Sequence, residues 1–211
     1  MEIEFEKKIL LTKKEYEHLL SLKKNMPPIS FCQVNYYYDT DDFEMNRQGI
    51  TCRIRKKDNQ YNATIKKHYL EKHERSSEIS KAVNDHLDSS VFAVVSPDIK
   101  LQGELVTSRT ILYDHDGVEV MLDMNEYLGV TDYELEIEYL SESKDLAKRV
   151  LHNLEKTFDA EGGMKHQDTF FNRAVVSKSK AERFFARLTL INATRLKTIS
   201  DALLVKFLKS N

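Results

Sequence analysis

Residues 133–139 read Tyr133-Glu134-Leu135-Glu136-Ile137-Glu138-Tyr139. A β-strand turns successive side chains to opposite faces, so this run sets Glu134, Glu136 and Glu138 on one side and Leu135 and Ile137 on the other. Carboxylates about 7 Å apart along a strand repel one another unless water, basic side chains or a divalent cation lies between them. Other strand-like runs carry the complementary charges. Glu2, Glu4, Glu6 and Lys8 share a face of residues 2–10, opposite Ile3, Phe5 and Ile9, with Lys7 the exception on the apolar side. Thr51, Arg53 and Arg55 alternate with Ile50, Cys52 and Ile54, and Lys66 shares the polar side of residues 61–67 with Asn62 and Thr64. Arg109 and Asp123 each stand as a charge within a further strand-like run. Guanidinium and ammonium groups suit phosphate oxygens, and carboxylates suit hard divalent ions. The set fits a site for a polyanion and its metal.

These side chains need elements to position them. Strands are expected over residues 2–10, 35–40, 49–56, 61–67, 105–113, 118–124 and 133–139, with turns at Asp58-Asn59-Gln60 and Asp114-His115-Asp116-Gly117. Thr12 and Glu15 have capping-box spacing, and Tyr16, Leu19 and Leu20 then form the apolar stripe of a short helix. Val83, Leu87 and Val91 predict a helix over residues 80–92. A longer helix begins at Ser143, carries Leu146, Val150, Leu151, Leu154 and Phe158 inward, and stops at Gly162-Gly163. From Ala181 onward the apolar spacing gives one long helix or two consecutive ones. The total is seven or eight mostly antiparallel strands with three or four helices. An open sheet would turn its charged faces to solvent, whereas a closed barrel would turn them inward.

Composition narrows the classes of function. The chain has 211 residues, 41% of them hydrophobic and 31% charged, with a formal net charge of -2. A general nucleic-acid binder would be clearly basic, so no nucleic-acid partner is expected. No stretch approaches the roughly 20 apolar residues of a membrane span. Cys32 and Cys52 are the two cysteines, and the first twenty residues lack an apolar h-region, which points to a reducing, cytoplasmic location without a membrane partner. The glycines lack P-loop or dinucleotide-loop spacing, so phosphate would be held by side chains. The seven histidines show no zinc-ligand spacing.

The ordered motifs resemble the CYTH superfamily of triphosphate tunnel metalloenzymes, which includes inorganic triphosphatases, thiamine triphosphatases and class IV adenylate cyclases. Glu4-Phe5-Glu6-Lys7-Lys8 matches its N-terminal Glu-x-Glu-x-Lys signature. Tyr37-Tyr38-Asp39-Thr40, Arg53-Ile54-Arg55, Thr64-Ile65-Lys66, Arg109, Asp123 and Glu136-Ile137-Glu138 follow in family order across about residues 1–185. The resemblance implies an α+β fold: a closed eight-stranded antiparallel β-barrel, the triphosphate tunnel, with helices packed outside. It divides the chain into a tunnel domain, residues 1–189, and a C-terminal helical extension, residues 190–211. It assigns phosphate binding to Lys8, Arg53, Arg55, Lys66, Arg109 and Lys180. Glu4, Glu6, Asp123, Glu136 and Glu138 would hold Mg²⁺ or Mn²⁺, with Glu4, Glu6, Glu136 and Glu138 also orienting water. Lys178 competes with Lys180 for the C-terminal lysine, and Glu78 matches the pattern only loosely.

The activity implied is metal-dependent hydrolysis of inorganic triphosphate or of a triphosphate-bearing small molecule. A class IV adenylate cyclase and a non-catalytic polyphosphate-binding module are the alternatives. Each charged run also has a structural reading, as the solvated face of an edge strand or as a cross-strand ladder between Glu134, Glu136, Glu138 and the arginines. On the functional reading, Glu136→Ala should abolish turnover with little loss of fold. The apolar stripe of the last helix suits packing or a homodimer contact.

Overall fold

A computed structural model describes residues 5–22, 29–68, 76–160, 170–174 and 178–209. Glu2 and Glu4 lie outside the described residues, as do Arg75 and Gly162-Gly163. The strands are β1 (Phe5–Leu11), β2 (Ser30–Asp39), β3 (Ile50–Lys57), β4 (Gln60–His68), β5 (Ser76–Val83), β6 (Lys100–His115), β7 (Val118–Tyr127) and β8 (Val130–Tyr139). They form one antiparallel sheet in the order β1-β8-β7-β6-β2-β3-β4-β5. Among the described residues β1 and β5 are its two edges, and backbone pairing does not join them. The sheet is nonetheless strongly curled, because the Lys66 ammonium on β4 lies 3.3 Å from the Glu6 carboxylate on β1.

Three hairpins rest on two-residue loops with both residues at positive φ, the conformation that matches strand twist. They are Asp58-Asn59 (φ 49° and 63°), Asp116-Gly117 (54° and 71°) and Leu128-Gly129 (46° and 74°). The Leu128-Gly129 loop sets β8 against β7 so that Glu134 faces Asp123, and β8 in turn pairs with β1 so that Glu136 faces Lys8.

Helices cover the outer faces. On α1 (Lys13–Ser21) the capping box is present: Thr12 Oγ1 accepts from Glu15 N at 3.3 Å, and Glu15 Oε2 accepts from Thr12 N at 2.6 Å. The buried Glu15 also pairs with Arg173 on α4 (Phe170–Ala174) at 2.5 Å, so one carboxylate joins two helices. α3 (Lys144–Ala160) buries Ala147, Leu151 and Phe158 against Ile9, Val120, Leu135 and Ile137. On the other half of the sheet, Tyr38, Cys52, Ile54 and Ala63 pack with Phe92 and with Met45 of the short α2 (Glu44–Arg47). Cys52 is therefore a buried packing residue, and burial pushes its thiol up to about 12.

Residues 80–92 are not a helix. Residues 76–83 pair with β4, Ser80 opposite Thr64 and Val83 opposite Tyr61, and a 3₁₀ turn, Ser89–Phe92, follows. The four-residue spacing of Val83, Leu87 and Val91 imitates a helical stripe, but Leu87 is 68% exposed and Phe92 is the buried anchor.

The C-terminal apolar segment is one helix, α5 (Lys180–Lys209). Its first turns plug one end of the concave face of the sheet, with Phe184 and Phe185 against Tyr37, Leu105 and Tyr127. Gly103 on β6 permits this approach. It sits at φ 150°, and a Cβ there would meet the Phe184 ring at 2.9 Å. Over residues 189–198 the helix is half-buried to exposed, with Leu190 57% and Leu196 68% exposed. No helix among the described residues is long and apolar enough to cross a membrane.

Candidate metal and phosphate site

The charged sides of β1, β3, β4, β6 and β8 face one cavity of ≈ 160 Å³, closed at one end by residues 179–181. Glu6, Lys8, Arg53, Arg55, Lys66, Arg109, Glu136, Glu138 and Lys180 all line it, together with Glu78, Tyr37 and Thr51. The six residues expected to bind phosphate are thus brought to one cavity. Six cationic side chains and four carboxylates line it, so both signs of charge meet across one cavity.

The cations divide by what already neutralises them. Arg109 is held fork to fork by Asp123, Nε to Oδ1 at 2.9 Å and Nη2 to Oδ2 at 2.7 Å, and Nη2 also reaches Glu136 at 2.7 Å. Lys180 sits among three carboxylates, with Asp123 at 3.0 Å, Glu136 at 2.9 Å and Glu134 at 2.5 Å. Lys8 pairs with Glu6 and, at 3.1 Å, with Glu136. Burial opposes the charge on Lys8, Arg109 and Lys180, but these carboxylates outweigh it and raise each above its ordinary range. Arg53 and Arg55 are different. Among the described residues Arg53 has only Glu78, at 3.9 Å, and its buried Nε has no hydrogen-bond partner. Arg55 donates to the neutral Asn35 Oδ1 at 2.9 Å. Burial, with Arg53 and Arg109 nearby, lowers the Arg55 guanidinium to about 10.

The carboxylates divide in the same way. Asp123 and Glu134 are fully buried behind the cavity wall, and their oxygens meet Arg109, Lys180 and Arg183. Glu6, Glu136 and Glu138 line the cavity and bring one oxygen each within 4.8 Å of one another. Burial pushes Glu6 up, yet Lys8 and Lys66 hold it down at about 2. Glu136 lies well below the ordinary range, since Lys180, Lys8 and Arg109 outweigh burial. Glu138 makes no hydrogen bond or ion pair among the described residues; burial and the adjacent Glu136 raise it to about 7.

This three-oxygen set fits a hard divalent cation. An open carboxylate with like-charged neighbours gains most from a cation, and Glu138 is that carboxylate. The second cluster, Asp123, Glu134 and Glu136, is also within 4.8 Å, but the Lys180 ammonium occupies its centre. Lys178 is exposed, and its backbone carbonyl accepts from Arg183 Nη1 at 2.6 Å, so Lys180 is the C-terminal lysine brought into the site. Glu78 lines the cavity while remaining partly exposed.

Sequence reasoning gave no role to Arg183, Asp132 or Asn35. Arg183 bridges Asp132 at 2.9 Å and Glu134 at 2.6 Å. Its signal is position: three residues after Lys180, it shares a helix face with that lysine, and Asp132 shares strand parity with Glu134.

Residues 2–162 match the sequence model of the CYTH domain. YjbK of Bacillus subtilis (strain 168), provisionally named a triphosphatase, is 32% identical over 150 residues, 65% of this chain and 77% of its own. A crystal structure from Bacillus halodurans, provisionally described as an adenylate cyclase, superposes with a TM-score of 0.66 at 26% identity, covering 87% of this chain and 98% of that one. HpAC1 from Hippeastrum, described as having a dominant triphosphatase activity, shares the fold with a TM-score of 0.64 at 19% identity, over 88% of this chain and 96% of its own.

Proposed function

Since this chain belongs to the CYTH domain family, we propose that it is a metal-dependent phosphohydrolase acting on inorganic triphosphate or a triphosphate-bearing small molecule. The observation that carries the reading is the pairing of two guanidinium groups that are the least neutralised of the cavity's cations among the described residues, Arg53 and Arg55, with the open carboxylate set Glu6, Glu136 and Glu138 across one cavity. Closure of the curled sheet into a barrel around the substrate belongs to the same reading, and the contact between Lys66 and Glu6 supports it.

Arg53 and Arg55 present planar donors to phosphate oxygens, and Lys66 and Lys8 add point charges beside them. Arg109 and Lys180 are tied to carboxylates, so they shape the acidic wall and contribute field rather than a free fork. Glu6, Glu136 and Glu138 would hold Mg²⁺ or Mn²⁺, which supplies charge neutralisation and a positioned water when bound. In-line attack of water on the terminal phosphorus would form the new P–O bond as the bond to the bridging oxygen breaks, giving orthophosphate with the water's proton released to solvent, while the diphosphate-bearing leaving group takes the bridging oxygen and its negative charge to the arginine and lysine wall. Asp123, Glu134 and Arg183 keep the first set in place from behind.

The test is phosphate release from tripolyphosphate, ATP and thiamine triphosphate, each with Mg²⁺ and with Mn²⁺, while cyclic AMP and pyrophosphate are followed from ATP. Metal-dependent orthophosphate release is the expected result, and the substrate ranking identifies the compound. Cyclic AMP with pyrophosphate would move the chain to the cyclase reading. Saturable triphosphate binding without turnover would leave a binding module.

A further inference from the structure

Arg55 and Arg109 are held by the same kind of neighbour, and one atom separates the two cases. Each arginine stands directly opposite its partner across an antiparallel strand pair, Arg55 on β3 opposite Asn35 on β2 and Arg109 on β6 opposite Asp123 on β7. In each pair the guanidinium Nε donates to the partner's Oδ1 at 2.9 Å. Asp123 then offers Oδ2, which accepts from Arg109 Nη2 at 2.7 Å and completes the fork. Asparagine carries Nδ2 in that place, a donor that cannot take a second N–H. The bond to Asn35 is accordingly the one hydrogen bond that Arg55 makes among the described residues, and the arginine lines the charged cavity. Asn35 itself is fully buried, and its Nδ2 has no hydrogen-bond partner among the described residues. A buried donor without an acceptor is destabilising, so packing alone does not favour the amide here. The other cross-strand neighbours of the two arginines are also neutral: Asn62 opposite Arg55, and Tyr37 and Thr64 opposite Arg53. Lys8 and Arg109, by contrast, stand opposite Glu136 and Asp123.

We propose that Asn35 is the positioning residue of the phosphate site: it fixes Arg55 through Nε and leaves the Nη atoms of the guanidinium, with its charge, for a phosphate group of the substrate. This rests on the phosphate-binding reading of the cavity and adds the residue that keeps Arg55 open. A carboxylate in the same place would hold the arginine as firmly but would take its Nη2 and neutralise it, as Asp123 does with Arg109. A small apolar residue would spare the charge and lose the anchor, and an unanchored arginine gives up more side-chain freedom on binding. A neutral acceptor meets both demands.

The test is titration calorimetry of tripolyphosphate into the full chain with chelator present, so that binding is read without turnover, beside thermal melting. Asn35→Asp should melt no lower than the native chain and bind tripolyphosphate at least about tenfold more weakly. Asn35→Ala should melt lower, yet bind within about fivefold of the native chain and more tightly than Asn35→Asp. This inversion of stability and affinity separates positioning from packing, since a packing role would make the alanine variant the weaker binder. Gln33→Glu adds a buried carboxylate on the same face of β2, opposite Lys57 rather than Arg55, and should weaken binding by no more than about threefold. In phosphate release, Asn35→Asp should raise KM about tenfold with kcat within about twofold. A native chain that binds tripolyphosphate without releasing phosphate would end the hydrolase reading, while the binding series would still decide the role of Asn35. Equal affinity of the native and Asn35→Asp chains overturns the proposal, as does an Asn35→Asp chain that does not fold. Weaker binding by Asn35→Ala than by Asn35→Asp, an equal loss with Gln33→Glu, or no saturable binding by the native chain also overturns it.

Discussion

Glu136 and Glu138 stand two residues apart on one face of β8 and are held in opposite ways. Glu136 contacts Lys8, Arg109 and Lys180, so removing its carboxylate leaves three buried cations short of a partner. Glu136→Ala should therefore lower stability by about 3–5 kcal/mol as well as turnover, read from the urea midpoint beside phosphate release. The sequence led to the expectation of little loss of fold, because alternation shows which face a carboxylate occupies but not how many cations converge on it. Glu138→Gln separates the two effects. It should leave the fold intact and raise the metal concentration needed for half-maximal phosphate release by about 10–100-fold. In chelator, where no metal offsets the charge, Glu138 also gives a pH signature. Its folded value of about 7 lies above the ordinary 4.5, so the folded chain holds this proton more tightly than the unfolded one. Stability should decline as pH rises from 4.5 to 7 and then level off, and Glu138→Gln should remove about 2–3 kcal/mol of that decline. Equal pH profiles for the two proteins would show that Glu138 does not carry the strain.

At the scale of elements, residues that reveal strand parity were legible and those that decide helix against strand were less so. The parity of residues 50–55 and 133–139 set Arg53, Arg55 and the glutamates on the concave face, and Thr12 with Glu15 marked the start of α1. The Leu128-Gly129 hairpin was hidden, since a leucine at positive φ carries no turn signature. Residues 80–92 misled because three apolar residues four apart outweighed Ser80 and Lys81, whose backbone pairs with β4. The approach of α5 to β6 left one trace, Gly103. Gly103→Ala puts a methyl group 2.9 Å from the Phe184 ring at a φ of 150°, a cost of about 1–3 kcal/mol. Lys180 lies one turn before Phe184, so displacing the ring also displaces the ammonium at the centre of Asp123, Glu134 and Glu136. Thermal melting should fall by about 2–4 °C per kcal/mol lost, with a parallel fall in kcat. Reduced melting temperature with unchanged kcat would show that the ring moves without the lysine.

The site is a property of the whole molecule, because its charges come from β1, β3, β4, β6, β8 and α5 and meet only when the sheet curls. Order along the chain led to the expectation that they share one site, and they line one cavity. Their division into tied and open groups depends on distances that no linear pattern carries, as with Lys180 among carboxylates and Arg55 beside a neutral asparagine. The packing of α5 also changes along its length. Residues 180–185 close the cavity and bury Phe184 and Phe185, whereas beyond Thr189 the helix exposes Leu190 and Leu196. We propose, accordingly, that residues 190–211 are an extension to a tunnel domain ending at residue 189. A chain ending there should melt within a few degrees of the full chain and keep its kcat, because residues 190–198 are half-buried to exposed and contribute little burial. A chain ending at residue 177 removes Lys180, Arg183 and both phenylalanines, which takes both cations from the buried Glu134 and leaves Asp123 and Glu136 to Arg109 and Lys8 alone; it should melt far lower and lose turnover. Loss of folding in the chain ending at residue 189 would place part of the stabilising contact beyond that residue and end the two-part division.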